Sequence, residues 1–135
     1  MESGRGTIAE LARHRVAVAA GARARFGGDA SVRAVALLVA RDRGLSLDDL
    51  LLPSRGRAPV AAARQLAMYL THVMLGRTLT EVGALFGRDR TTVAHACALI
   101  EDGRDEAATD SAIGRLEAAI ASFATPDREA DRAAG

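Results

Sequence analysis

Arg88, Asp89, Arg90, Thr91 and Thr92 form five consecutive polar residues just ahead of an apolar helical pattern, and together they hold most of the hydrogen-bonding groups needed to read a base pair. An arginine fork can donate to guanine, an aspartate can accept from the cytosine amino group, and threonine offers a methyl and a hydroxyl. His95 follows about one turn later, on the outer side of the same helix. A second basic cluster lies upstream. Pro53-Ser54-Arg55-Gly56-Arg57-Ala58-Pro59 reads as an extended loop bounded by prolines, which makes Arg55 and Arg57 candidates for a contact arm. The plainer reading of both clusters is a solvated arginine-rich surface on an ordinary all-helical core.

For the polar run to face a ligand it must open a helix that other helices hold in place. Thr78-Leu79-Thr80-Glu81 has the form of a capping box, followed by Val82, Leu85 and Phe86 on one face and a break at Gly87. Asp89 then caps a second helix whose inner face is Val93, Cys97 and Ile100, with Ala96 at its border. Short helix, glycine turn and second helix make a helix-turn-helix pattern. Ala63, Leu66, Ala67, Leu70, Val73 and Met74, at spacings of three and four, predict a buried helix over 60–75 that stops at Gly76. Further upstream, Val32, Val35, Ala36 and Val39 share a face behind a Ser31 cap, up to about Gly44, and residues 45–50 form a short turn-like helix. Ile8, Leu11, Ala12 and Val16 make one more stripe near the start of the chain.

Past the motif, Ile113, Leu116, Ile120 and Phe123 repeat along residues 105–124, with Asp105, Glu106, Asp110 and Glu117 outside. This amphipathic helix either folds back on its own domain or serves a homodimer or another protein partner. No alternating β-branched pattern occurs, so the expected fold class is all-α: a helical bundle containing a helix-turn-helix. The expected organisation is an N-terminal helical extension over 1–29, a helix-turn-helix domain over 30–102, the amphipathic helix over 103–125 and a flexible tail over 126–135.

Composition narrows the chemistry. All 18 basic residues among the 135 are arginine, which removes the P-loop lysine, Schiff-base chemistry and lysine general bases together. Three Phe, one Tyr and no Trp disfavour a base-stacking platform for single strands. The lone Cys97 makes no intrachain disulfide and sits at core spacing, and Tyr69 reads as packing. His14, His72 and His95 stand without a partner at ligand or triad spacing, so no metal, no cofactor and no catalytic residue is expected. No run of 18 apolar residues occurs, so no membrane association is expected, and a cytoplasmic location is the expectation. Residues 1–100 carry 14 arginines against 8 acids, whereas residues 101–135 carry 4 against 9. A basic body with an acidic tail suits a polyanion partner.

Ala63-Arg64-Gln65-Leu66-Ala67-Met68-Tyr69-Leu70, followed by the stretch from Leu79 through Gly87-Arg88-Asp89-Arg90-Thr91-Thr92-Val93-Ala94-His95-Ala96-Cys97, resembles the C-terminal DNA-binding domain of the bacterial replication initiator DnaA. The resemblance covers roughly residues 30–102. It implies a Trp-repressor-like helical fold that places the second helix of the motif in the major groove of double-stranded DNA. It also implies phosphate contacts from Arg64 and Gln65 at a helix N-terminus, base or groove contacts from Asp89, residue 90, Thr91 and Thr92, and Ala96 against a thymine methyl. One of Arg55 and Arg57, on the 54–58 loop, would enter the minor groove, and His95 would lie near the DNA.

Family members commonly carry two glycines before the Arg-Asp pair and a histidine after it, where this chain has the single Gly87 and Arg90. The basic residues that often follow the Ala-Cys pair are here Ala98 and Leu99. Arginine at position 90 either moves a base preference toward guanine or adds a phosphate contact. The nucleotide-binding domain of full-length initiators has no counterpart. The expected function is sequence-specific double-stranded DNA binding, as a transcriptional regulator or a modulator of replication initiation without ATPase activity. The alternative is a helical interaction module that has lost DNA binding.

Overall fold

Local capping chemistry sets where the helices begin. The computed structural model describes residues 29–51 and 58–123, and among them six helices and no strand occur. They are α1 (Ala30–Asp42), α2 (Leu47–Leu51), α3 (Ala58–Leu75), α4 (Leu79–Phe86), α5 (Arg90–Gly103) and α6 (Ala107–Phe123). The all-α expectation is met. The readings placed on 1–28, 52–57 and 124–135, including the loop arginines Arg55 and Arg57, lie outside the described residues.

Asp29, and not the expected Ser31, caps α1: its Oδ1 accepts the Val32 N–H at 3.2 Å. Its other oxygen, Oδ2, receives Arg77 Nε and Nη2, both at 2.8 Å, so a contact 48 residues away helps decide where α1 starts. Ser46 and Asp49 cap α2 reciprocally, with the Ser46 N–H donating to Asp49 Oδ2 at 3.1 Å and the Asp49 N–H to Ser46 Oγ at 3.0 Å. α3 begins two residues earlier than its apolar stripe suggested. Ala58 and Pro59 therefore belong to its first turn, where the missing proline N–H costs no intrahelical bond.

α3 is the axis of the domain. Val60, Ala63, Leu66, Ala67, Met68, Tyr69, Leu70 and Thr71 are buried almost all round it, and it touches each of the other five helices. A helix apolar on every side has to be enclosed in this way. The buried Thr71 hydroxyl donates to the Ala67 carbonyl at 2.7 Å, which satisfies it within its own helix. Truncating Leu66 or Leu70, at 1% and 0% exposure, would remove about 2–5 kcal/mol of stability.

α6 folds back onto α3 and α1, and its Ile113, Leu116 and Ile120 join the single core shared by all six helices. Its apolar stripe is thus covered by its own chain. Phe123, expected on that stripe, is 45% exposed because it ends the helix beyond the reach of the core. Among the described residues no helix is long and apolar enough to cross a membrane.

Candidate nucleic-acid interface

The capping box expected at residues 78–81 is present, with the Thr78 N–H donating to Glu81 Oε1 at 2.8 Å and the Glu81 N–H to Thr78 Oγ1 at 3.1 Å. It starts α4 cleanly, and two turns later Gly87 ends the helix at φ +69°, a left-handed conformation that glycine adopts without strain. The Arg88 N–H then reaches back to the Gly83 carbonyl at 2.9 Å, which folds the turn tightly onto α4. The approach is so close that a Cβ on Gly83 would run into the Arg88 carbonyl oxygen. Reading the sequence did not single out Gly83. Its signal was a glycine inside a helix that is only eight residues long, where the residue costs helix propensity and needs a packing reason.

Asp89 caps α5, with Oδ1 accepting the Thr92 N–H at 2.8 Å. That amide hydrogen bond is the main reason the Asp89 carboxyl sits below the ordinary carboxylate range. α5 is turned about one position from the expected register. Val93 and Ala96 are its buried residues, while Cys97 and Ile100 are half-buried. Ala96, at 1% exposure, therefore faces the core, and the thymine-methyl contact expected of it is withdrawn. Burial, then the neighbouring Glu101, pushes the Cys97 thiol above its usual value, as for an unreactive packing residue.

Over its first ten residues the exposed face of α5 consists of Arg90, Thr91, Thr92, Ala94, His95, Ala98 and Leu99. Arg88, half-buried, bends back so that Nη1 donates to the carbonyls of Gly87 at 3.1 Å and Phe86 at 3.4 Å. The structure thus brings Arg88, Asp89, Arg90, Thr91, Thr92 and His95 together at one end of one helix.

Arg64 and Gln65 sit differently from their expected place at a helix N-terminus. α3 begins at Ala58, so both lie beyond its first turn, and the unpaired amides of that turn are not beside them. Arg64 is only 5% exposed, and its Nε donates to the Leu50 carbonyl at 3.0 Å, tying α3 to α2. Burial and then the nearby Arg88 guanidinium lower its pKa from the ordinary arginine value. Gln65 is half-buried beside it in sequence.

The opposite end of α5 is closed by a polar cluster that sequence reading missed. Arg104 donates from Nε to Asp110 Oδ1 at 2.6 Å and from Nη1 and Nη2 to the two oxygens of Glu117 at 2.8 and 3.0 Å. Its Nη1 also reaches the Tyr69 hydroxyl at 3.1 Å, which in turn donates to Glu101 at 2.7 Å. These partners, Glu117 first, raise the Arg104 pKa further above an already basic value. Asp110 lies outside as expected and Glu117 is half-buried, but both are taken up by Arg104, and Tyr69 does more than pack. Asp102, Asp105 and Glu106 remain exposed around this end. Among the described residues no cluster of His, Cys, Asp and Glu is placed to hold a metal ion.

Two helices joined by a tight glycine turn, the second held by a central helix and open along its outer face, define a helix-turn-helix protein. Residues 32–100 match the family described as bacterial dnaA protein helix-turn-helix, and the chain belongs to that family. It is 48% identical over 69 residues to the chromosomal replication initiator protein DnaA of Bifidobacterium animalis subsp. lactis (strain AD011), a match covering 50% of this chain and 12% of that protein. The protein of the same name from Brucella abortus biovar 1 (strain 9-941) is 48% identical over 66 residues, covering 48% of this chain and 13% of the relative. That of Bradyrhizobium sp. (strain ORS 278) is 47% identical over 76 residues, 54% of this chain and 16% of the relative. The chain thus spans a small fraction of the length of these relatives.

Proposed function

We propose that this chain binds double-stranded DNA in a sequence-specific manner, laying the N-terminal end of α5 in the major groove. The observation that carries the reading is the outer face of α5, where arginine, threonines and histidine gather at one exposed end while Val93 and Ala96 on the inner side anchor the helix in the core. In this reading Asp89, Arg90, Thr91, Thr92 and His95 face the bases or the groove walls, and Arg64, Gln65 and Arg88 attract the flanking phosphates. Arg55 or Arg57, ahead of α3 in the sequence, reaches the adjacent minor groove. Residues 30–102 act as the recognition unit, and α6 braces it.

The relatives are named chromosomal replication initiators, which favours sites of the kind such proteins occupy. The proposed role is that of a regulator of transcription or a modulator of replication initiation, acting at the nucleoid without ATPase activity or any other catalysis. The test is a fluorescence-anisotropy titration of the full chain with mixed-sequence duplexes at several salt concentrations, followed by selection from a random duplex library. Binding should weaken linearly on a log–log plot as salt rises, by about 0.9 in slope for each phosphate neutralised, and selection should enrich one motif. Binding that ignores salt, or a selection without a motif, would overturn the proposal.

A further inference from the structure

The arginines around the helix-turn-helix have different amounts of freedom. Arg64 is buried against the Leu50 carbonyl, and Arg88 is folded back on the carbonyls of Phe86 and Gly87. Arg77 and Arg104 are held by carboxylates, the first by Asp29 and the second by Asp110 and Glu117. Arg90 is exposed, and its side chain makes no hydrogen bond or ion pair with any other described residue. It is also the first residue of α5, and helical side chains lean toward the N-terminus, so its guanidinium extends past the end of the helix. The remaining exposed face beyond it is short: Thr91, Thr92, Ala94 and Ala98, with His95 alone of any length before Leu99 at 45% exposure. Small side chains let the helix backbone come close to a surface, and a long one at the tip then reaches furthest.

We infer that Arg90 is the residue that sets sequence preference, by donating two hydrogen bonds to O6 and N7 of one guanine. This rests on the DNA-binding reading above and assigns the class of base read at one position. The guanidinium carries two parallel donors at the spacing of the guanine acceptors, and it alone in this face has both the reach and the unengaged donors to use them.

The discriminating experiment is duplex selection at fixed salt with wild type, Arg90→Lys and Arg90→Gln, each first checked for an unchanged melting curve. Wild type should select a motif with an invariant guanine. Arg90→Lys keeps the charge and can still donate to guanine O6 and N7, but without the rigid planar fork, so guanine should stay preferred with a requirement only a few-fold weaker at that one position. Glutamine pairs with adenine N6 and N7, so Arg90→Gln should move the preferred base at the same position from guanine to adenine. If both variants select the wild-type motif and merely bind every duplex more weakly, Arg90 lies on a phosphate and the inference is wrong. If wild type itself binds no duplex in a salt-dependent way, the DNA-binding reading has failed, and the inference falls with it.

Discussion

At its C-terminal end α5 is gripped by Arg104, whose guanidinium holds Asp110, Glu117 and Tyr69 at once, whereas at its N-terminal end the side chains of Arg90 and His95 make no hydrogen bond or ion pair with another described residue. One helix therefore has a closed end and an open end, built from the same kinds of side chain. A charged group whose donors are all satisfied within the chain contributes to stability and has little left to offer a ligand. An exposed one without partners adds little to folding, and remains available to whatever docks there. Substitutions at the two ends should accordingly separate stability from recognition.

The largest effect is expected at the turn between α4 and α5. Gly83→Ala drives a methyl into the Arg88 carbonyl, a backbone atom that cannot swing aside, so the helix-turn-helix must distort. A loss of about 3 kcal/mol in a denaturant titration is expected, as for an overpacked core position, together with loss of DNA binding. A variant as stable as wild type would show that the turn relaxes freely.

At the closed end, Arg104→Ala removes a bidentate ion pair and two further hydrogen bonds, and a loss of about 2 kcal/mol is expected. Base preference measured below the new melting temperature should be unchanged. A shifted motif would mean that the clamp tunes the open end, and the comparison would break. Arg64→Ala tests the border between the two behaviours. Its bond to Leu50 predicts a loss of about 1.5 kcal/mol, and its proposed phosphate contact predicts a salt slope smaller by about one unit for all sequences alike. A stability loss with no change in slope would assign Arg64 wholly to the closed, structural class.

The smallest effect concerns the cap. Because the folded Asp89 carboxyl titrates below its ordinary value, the stability it lends α5 is present above that ordinary value and disappears as pH falls through the lowered one. Lowering the pH from 5 toward 3, a span of about two units around the usual aspartate pKa, should loosen the first turn of α5 and shift the Thr92 amide resonance. Asp89→Asn keeps the acceptor and should flatten that dependence.

Features encoded by neighbours in sequence were legible in advance. The Thr78–Glu81 box, the Asp89 cap, the stops at Gly76 and Gly87 and the Ile113–Leu116–Ile120 stripe each depend on residues within about two turns of one another. What escaped reading depends on three-dimensional approach. The Arg104 cluster joins residues 69, 101, 104, 110 and 117, and nothing in a charge pattern says which of many acids an arginine will meet. Arg77 pulling on Asp29 moved the α1 cap from Ser31 for the same reason. Ala96 and Cys97 are adjacent on one helix, and only the way α5 lies on α3 decides which of them points inward. The candidate site itself was visible because its residues are consecutive; the burial of Arg64 was not, because Leu50 lies 14 residues away.

α5 also separates charge along its length, with Arg88 and Arg90 flanking Asp89 at one end and the exposed Glu101, Asp102, Asp105 and Glu106 outnumbering Arg104 around the other. A helix of 14 residues is about 20 Å long, roughly twice the screening distance at physiological salt. The two ends therefore experience a nearby polyanion almost independently: one is drawn in while the other is pushed away. On the DNA-binding reading, the result would be a torque that turns the molecule before any contact forms, so that fewer collisions would be lost to misorientation.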